Sequence, residues 1–184
     1  SMVISKEIAE EDTPENREQA YYDMAYLTEN MIMRNRTHGG YKVLVDELWE
    51  LCEKMNADMV KEYEALLLGT STWGDGELQD DWYDGVKVLK ESDLKEKTIA
   101  LFGCGDSESY CDTFCDGMGI IYEDIKDSGC ITVGKVSAKD YSFSSSIAVI
   151  DGMFVGLALD DINESDKTEE RIDAWVNDIK NHLA

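Results

Sequence analysis

The sequence predicts an α/β fold: an open, doubly wound parallel sheet of about five strands with helices on both faces. Short aliphatic runs at 66–68 and 98–102 are too brief for helices and end in glycine or small residues, which is typical of buried parallel strands. Amphipathic segments alternate with these runs along the last two thirds of the chain. At 184 residues, the chain is expected to form one domain over residues 1–184.

The first third, residues 1–55, is predicted to be rich in helix and to diverge from this alternation. Residues 2–5 are predicted to form a short strand. A helix is expected to begin with Thr13 as its N-cap and Pro14 at its first position, and to extend to about residue 35.

Two alternatives remain open for the following segment. In the first, Gly39 and Gly40 end the helix and residues 41–45 form a strand. In the second, residues 36–40 form an anion-binding loop that opens a helix, because apolar residues from Tyr41 onwards also recur at helical spacing. The second alternative has a set of candidate phosphate-binding residues, namely Arg34, Arg36 and His38.

Beyond residue 55 the elements follow from periodicity and from turn residues. A Ser- and Tyr-rich insertion at 135–153 is predicted to interrupt the last strand, either as a passive surface loop or as a docking site for a partner. The predicted elements are a short capped turn at 56–60, strands at 65–69, 98–102, 130–134 and 154–159, and helices at 81–90, 112–128 and 167–182.

Two loops have the composition of a site for a planar aromatic ring. Trp73 lies among small residues just after the first aliphatic run, and Tyr110 follows the glycine turn at 103–105. Ligands of open α/β sheets bind at the carboxyl ends of the strands, where both loops are expected. Trp73 and Tyr110 are therefore predicted to cover the two faces of one ring, with backbone N–H groups at its polar edge.

Three separated motifs together resemble the long-chain flavodoxin family, over residues 56–184. They are Thr72-Trp73-x-x-Gly76-Glu77-Leu78-Gln79-x-Asp81-Trp82, then Phe102-Gly103-x-Gly105-Asp106 with Tyr110, and the tail from Asp151-Gly152-x-Phe154-Val155-Gly156-Leu157-Ala158-Leu159-Asp160 through Ser165-Asp166-x-Thr168-x-x-Arg171-Ile172. The resemblance implies a flavodoxin-like fold with a long-chain insertion, a flavin (FMN) cofactor, and single-electron transfer between redox proteins. It implies neither a metal site nor catalytic side chains. The cofactor-binding residues that it implies are Thr70, Ser71, Thr72, Trp73, Gly74, Gly76, Gly103, Cys104, Gly105, Asp106 and Tyr110.

The resemblance fails at the phosphate-binding loop. A flavodoxin has a Thr/Ser-x-Thr-Gly-Asn-Thr loop whose N–H groups and hydroxyls bind the phosphate. The nearest match here is residues 13–18, where Pro14 lacks an N–H donor and Glu15 replaces the glycine, after three further acids at 10–12. A phosphate dianion should be repelled there, so the flavin is expected to be bound mainly through its isoalloxazine ring.

Charge and cysteine content limit the partners and the compartment. With 40 acidic against 17 basic residues the formal net charge is −23, which argues against nucleic acid and anionic membrane surfaces and favours redox proteins with basic docking patches. A cytoplasmic location is expected, because the sequence has no signal-peptide pattern, no apolar run long enough to span a bilayer, and five cysteines without a disulfide framework. Five acids flank the predicted ring site: Asp75, Glu77, Asp80, Asp81 and Asp84.

Three of the cysteines lie near the predicted site. Cys111 and Cys115 are expected to share one face of a helix as small buried residues, rather than to bind a metal. Cys104 is expected to fill space in the flavin loop, with a redox role as its alternative.

Two other classes of function remain open. One is a flavin-dependent reductase of a tetrapyrrole or quinone, with a pocket formed by the divergent N-terminal third. The other is a flavin-free interaction domain in which Trp73 and Tyr110 are ordinary packing residues.

Overall fold

The computed structural model describes residues 2–3, 56–180 and 182, in which strands and helices alternate. The strands are β1 Met2–Val3, β2 Ala65–Trp73, β3 Glu77–Leu78, β4 Thr98–Cys104, β5 Ile131–Val133, β6 Val136–Ser137, β7 Val149–Ile150, β8 Met153–Phe154 and β9 Leu157–Leu159. The helices are α1 Ala57–Glu62, α2 Asp80–Glu91, α3 Asp116–Ile125 and α4 Thr168–Ile179, with a 3-10 turn at Ala138–Asp140.

Strands β2 and β4 form the centre of the main sheet. They pair in parallel from Ala65 opposite Thr98 to Ser71 opposite Cys104. On its other side, β4 pairs in parallel with β5 at its start and with β9 at its end. The last strand is therefore split in two by the residues between β5 and β9, and its predicted resumption is confirmed, although it restarts at Leu157 rather than at 154.

One edge of the described sheet is antiparallel. Strand β1 pairs with Leu67 and Leu68 of β2 in the opposite direction. The alternation of strands and helices does not predict this direction, because it reports only on strands that are joined by crossover helices. The described sheet is thus mainly parallel.

Helices cover both faces of the sheet, as predicted. One buried cluster includes Leu66 and Leu68 of β2 together with Trp82 of α2 and Met118 of α3. The other is formed around Trp175 and its neighbours on α4 and packs on the opposite face. Side chains of β2 alternate between the two clusters because successive residues of a strand point to opposite faces.

The insertion folds into a small antiparallel sheet in the order β6, β8, β7. Its aromatic residues pack against the start of α3. Phe114 stacks with Phe143 at a centroid separation of 5.6 Å and meets Phe154 edge-on at 5.9 Å. Tyr141 lies 5.0 Å from Phe154 and donates its hydroxyl hydrogen to the Ala158 carbonyl at 2.9 Å. The insertion is therefore packed onto the domain core.

The prediction that Gly69 ends the first buried strand is wrong. Strand β2 continues to Trp73, and Gly69 lies in its middle, opposite Phe102. A Cβ atom at Gly69 would lie 2.0 Å from Phe102 Cζ, so glycine makes room for this ring. The carbonyl of Gly69 also accepts a hydrogen bond from Trp82 Nε1 at 2.9 Å.

The helix predicted at 112–128 is shorter than expected. Its observed range is Asp116–Ile125, because Cys115 has a left-handed backbone, with φ +58°, and the residues before it form turns. Cys111 and Cys115 therefore do not share a helical face. Cys115 is nonetheless buried, as predicted for a small packing residue.

The other helices were predicted to within a few residues, and the turn at 56–60 is the start of helix α1. Other predictions lie outside the described residues. They are the end of the strand at 2–5, the helix from Thr13 to about residue 35, the match to a phosphate loop at 13–18, and both alternatives for 36–45 with Arg34, Arg36 and His38. The fifth cysteine, Cys52, also lies outside them.

Candidate functional site

The candidate site lies where β2 and β4 end side by side. Because Ser71 pairs with Cys104, Thr72 and Trp73 on one strand and Gly105 on the other continue to the same edge of the sheet. This edge is the carboxyl end of parallel strands, the usual ligand position in such folds.

The Trp73 side of the site is a tight hairpin turn. After Trp73 the chain turns through 74–76 and returns as β3, with Trp73 opposite Glu77. Gly74 and Gly76 have φ values of +50° and +99°, which side-chain-bearing residues rarely adopt. The indole of Trp73 is 44% exposed, and its Nε1 donates to Ser71 Oγ at 3.1 Å. The turn thus presents an aromatic face to the outside at the strand edge.

The Tyr110 side is a loop organised by Asp106. The Asp106 carboxylate accepts the backbone N–H groups of Glu108 and Ser109 at 3.1 and 2.8 Å. The hydrogen bond from Ser109 lowers the pKa of Asp106, with a further contribution from Asn163, against a smaller opposing effect of burial. Tyr110 follows, 50% exposed, with its N–H donated to the Asp106 carbonyl at 3.0 Å.

A buried carboxylate, Asp160, connects this loop to the end of the last strand. Its Oδ2 accepts the N–H and the hydroxyl of Ser107 at 2.9 and 2.5 Å and Asn163 Nδ2 at 2.9 Å. Its Oδ1 accepts the N–H groups of Ile162 and Asn163. Burial raises the pKa of Asp160, but the bonds from Ser107 and Asn163 outweigh it, so the net shift is downward. Asn163 also donates to Asp106 at 2.9 Å, which makes the loop and the strand end one network.

The start of α3 joins the two sides of the site. The N–H of Gly117 donates to Thr72 Oγ1 at 3.0 Å. A Cβ atom at Gly76 would lie 3.0 Å from Thr113 Cγ2 and 3.1 Å from Asp116 Oδ2. On the other side, a Cβ atom at Gly105 would lie 2.9 Å from Phe114 Cδ2, so this loop also packs on the residues before α3. The two aromatic loops therefore share one support.

The residues predicted to contact a ring divide into three groups by exposure. Trp73, Gly74 and Tyr110 are exposed, and a middle group is partly exposed: Ser71, Thr72, Gly76, Cys104, Gly105 and Asp106. Thr70 and Gly103 are buried, because they lie in the strands under Gly117 and Met118 of α3. These two support the site from beneath rather than facing the outside.

The Cys104 thiol has the properties of a packing residue. Burial raises its pKa to about 12. Because the thiolate is the reactive form, a thiol with this pKa is a poor nucleophile at neutral pH. The four cysteines of the described residues, Cys104, Cys111, Cys115 and Cys130, are free thiols.

Sequence reasoning missed two buried carboxylates beside the site. Asp160 could have been recognised from the sequence, because it directly follows an aliphatic strand and belongs to the matching tail motif. No sequence pattern marks Asp116, because it packs between the turn at 74–76 and the insertion, which are distant in the sequence.

No cluster suited to a metal ion occurs among residues 2–3, 56–180 and 182. None of the helices in that part of the chain is long and apolar enough to cross a bilayer. Two half-exposed aromatics, Trp73 and Tyr110, lie on loops at this edge of the sheet, and exposed aromatic side chains in such a position are typical of sites that bind a flat ring.

Comparison with known proteins identifies relatives of the chain. A family model described as "Flavodoxin" matches residues 34–175. Flavodoxin 1 of Azotobacter vinelandii is 46% identical over 121 residues, which are 65% of this chain and 69% of that protein. The Fusobacterium nucleatum flavodoxin bound to flavin mononucleotide has a similar fold, with a TM-score of 0.69 at 24% identity over 89% of this chain and 92% of that one. A mutant of that flavodoxin, also bound to flavin mononucleotide, has a TM-score of 0.66 at 28% identity over 80% of this chain and 93% of that one.

Proposed function

The chain belongs to the flavodoxin family, and from that membership we propose that it binds flavin mononucleotide and carries single electrons between redox proteins. The observation that carries the proposal is the pair of half-exposed aromatics, Trp73 and Tyr110, on loops that share the support of α3. Exposing two large rings to water is unfavourable, and a stacked ligand ring would remove that cost.

We assign the following roles to residues of this chain. Trp73 and Tyr110 cover opposite faces of the isoalloxazine ring and shield it from water. Backbone groups of the turn at 74–76 and of the loop at 104–106 bond to its polar edge, and the glycines of the turn, with their positive φ values, let its backbone approach closely. Asp160 and Asp106 hold the loop of Tyr110 in place.

When bound, the flavin supplies the electron chemistry, and the protein tunes it. The two side chains fix the plane of the ring. Acids around the turn disfavour extra negative charge near the ring, so they favour donation of electrons. The described residues beside the turn provide these charges: Asp75, Glu77, Asp80, Asp81 and Asp84, all at least partly exposed.

Flavodoxins donate electrons to partner proteins. We propose that the partners of this chain dock through basic patches near the Trp73 turn, since exposed charges of one sign accelerate encounter with the opposite sign. We also propose that it acts in the cytoplasm, in keeping with its free cysteines.

The proposal is tested by adding flavin mononucleotide to the purified full chain and recording absorption and flavin fluorescence. The expected result is a stoichiometric yellow complex with quenched fluorescence, because flanking aromatics contact the ring. The complex should then be reduced and reoxidised without loss of flavin. If no flavin binds, the flavin-free interaction domain becomes the better description; turnover of a quinone or tetrapyrrole by the bound flavin would favour the reductase.

A further inference from the structure

The Asp116 side chain lies buried where three parts of the molecule meet. Only 7% of this residue is exposed, although it is acidic and begins helix α3. Its Oδ1 accepts the backbone N–H of Ile147, in the insertion, at 2.9 Å. Its Oδ2 lies 3.1 Å from the position that a Cβ atom of Gly76 would take. One carboxylate therefore bonds to the insertion and lies against the turn that follows Trp73.

Packing around Asp116 leaves little room for adjustment. A Cβ atom at Gly119, one helical turn later, would lie 2.7 Å from the N atom of Ala148, so the insertion backbone lies directly on α3. The N–H groups of Ser144 and Ser145 bond to the Cys111 carbonyl at 2.9 and 3.0 Å. The insertion is thus attached to the residues on both sides of Asp116.

Burial of this carboxylate also has an energetic cost. Burial raises the pKa of Asp116, whereas hydrogen bonds from Ile147 and Ser146 lower it, and the effect of burial is the larger. A salt bridge to Asp116 is not among the ion pairs of the described residues. An asparagine would fill the same space and accept the same bond from Ile147 without the charge.

We propose that Asp116 is a positioning residue through which the insertion sets the geometry of the Gly74–Gly76 turn for flavin binding. The inference rests on the proposed function. It gives the insertion a role within the flavin site: Ile147 holds Asp116, Asp116 supports Gly76, and the turn then presents Trp73 and its backbone groups to the ring. Because coupling between two sites is reciprocal, flavin bound at this turn must also stabilise the hydrogen bond between Asp116 and Ile147.

The first test uses the unaltered chain and amide hydrogen exchange with and without flavin mononucleotide. Exchange at the Ile147 amide is expected to slow on flavin binding. Two control amides should change little. Ala138 lies in the same insertion and bonds to the Gly152 carbonyl, and Glu96 lies at the amino end of the strands and bonds to the Gly129 carbonyl. Equal slowing at Ile147 and Ala138, or none at Ile147, would overturn the inference.

The second test compares Asp116→Ala, Asp116→Asn and the control Asp112→Ala by calorimetric titration with flavin mononucleotide. Asp112 is an exposed acid of the same segment, so its replacement removes an equal charge without removing the bond to Ile147. Affinity is expected to fall about tenfold in Asp116→Ala, as for the loss of one hydrogen bond to a charged group. Asp116→Asn, which keeps the acceptor, should stay within about threefold of the parent, and so should Asp112→Ala.

The outcomes separate this inference from the function on which it rests. Parent-like affinity in Asp116→Ala overturns the inference and leaves the flavodoxin function intact. Failure of the parent to bind any flavin overturns both. If Asp116→Ala does not fold, the exchange experiment on the parent still decides the question.

Discussion

At the residue scale, exposure separates the site from the core. Large aromatics of this chain, such as Trp82 and Trp175, are almost completely buried and donate their indole N–H groups to backbone carbonyls. Trp73 is exposed, and its indole Nε1 donates to Ser71 Oγ, two residues earlier. An aromatic held in place yet left open to the outside is a surface for stacking.

The first prediction concerns this surface. Replacing Trp73 by Ala should weaken binding of flavin mononucleotide by about 1–3 kcal/mol, by analogy with bases that stack on aromatic side chains. Tyr83→Ala is the matched control, because Tyr83 is similarly exposed, at 51%, on helix α2 and is not one of the residues predicted to contact the ring. A fluorescence titration measures both. Equal affinities of Trp73→Ala and the parent would remove Trp73 from the site.

The second prediction concerns Asp160, whose lowered pKa stabilises the folded chain. A carboxyl with a folded pKa below its ordinary 3.8 stabilises the fold above that pH, and this contribution is lost as the pH falls through the folded pKa. Asp160→Asn should therefore lower the free energy of unfolding by about 1.5–3 kcal/mol at neutral pH, which is the contribution of a hydrogen bond to a charged group. The difference in free energy of unfolding between parent and variant should become smaller below pH 3.8.

Urea unfolding at several pH values measures this gap, with Asp166→Asn, an exposed acid nearby, as control. A gap that stays constant with pH would mean that the charge of Asp160 contributes nothing to stability.

At the element scale, sequence periodicity correctly predicted the order of strands and helices in the part of the chain after residue 55. It predicted β2 and β4 because strands buried on both faces are continuously apolar, and it predicted the helices because each buries one apolar face. Two predicted ends are misplaced. Gly69 does not end its strand but lies within it, beneath Phe102, which is a tertiary contact that a single segment does not reveal. The left-handed backbone of Cys115 delays the start of α3.

The third prediction tests the contact at Gly69. A Cβ atom there would overlap the Phe102 ring, so Gly69→Ala should destabilise the fold by about 1–3 kcal/mol or more. Adding Phe102→Leu should restore part of this loss, since it removes the ring. Gly152→Ala serves as control. A Cβ atom at Gly152 would have no atom within 4 Å, so with φ +78° the substitution should lower the free energy of unfolding only by about 1 kcal/mol, through backbone strain. Thermal unfolding measures all four chains, and full stability of Gly69→Ala alone would contradict the predicted overlap.

At the scale of the whole molecule, net charge favours partners with basic docking patches, which stays a prediction, and it does not predict the support of the site. The two aromatic loops were predicted from their own residues. Their joint attachment to α3, the network of Asp160 and the packing of the insertion were not, because each joins segments far apart in the sequence.

The fourth prediction concerns long-range charge. Neutralising Asp75, Glu77 and Asp81 together should slow electron transfer to a basic redox partner at low salt and flatten its dependence on ionic strength. A matched control neutralises three acids on or near helix α4, away from the turn: Asp166, Glu169 and Asp173. Stopped-flow kinetics over a range of salt measures both. If the parent rate is indifferent to salt, or both triple variants behave alike, local steering is excluded.

The most direct test of the central claim, that the flavin is held mainly through its ring, is calorimetry with flavin mononucleotide and riboflavin on the same chain. The segment that resembles a phosphate loop has Pro14 and Glu15 among other acids, so the phosphate should add little. We predict that the two ligands bind within about tenfold of each other, a gap of about 1.4 kcal/mol. A preference of about a thousandfold for the mononucleotide would contradict the claim and make Arg34, Arg36, Thr37 and the Gly39-Gly40 turn the first residues to mutate. Absence of binding by either ligand would contradict it completely.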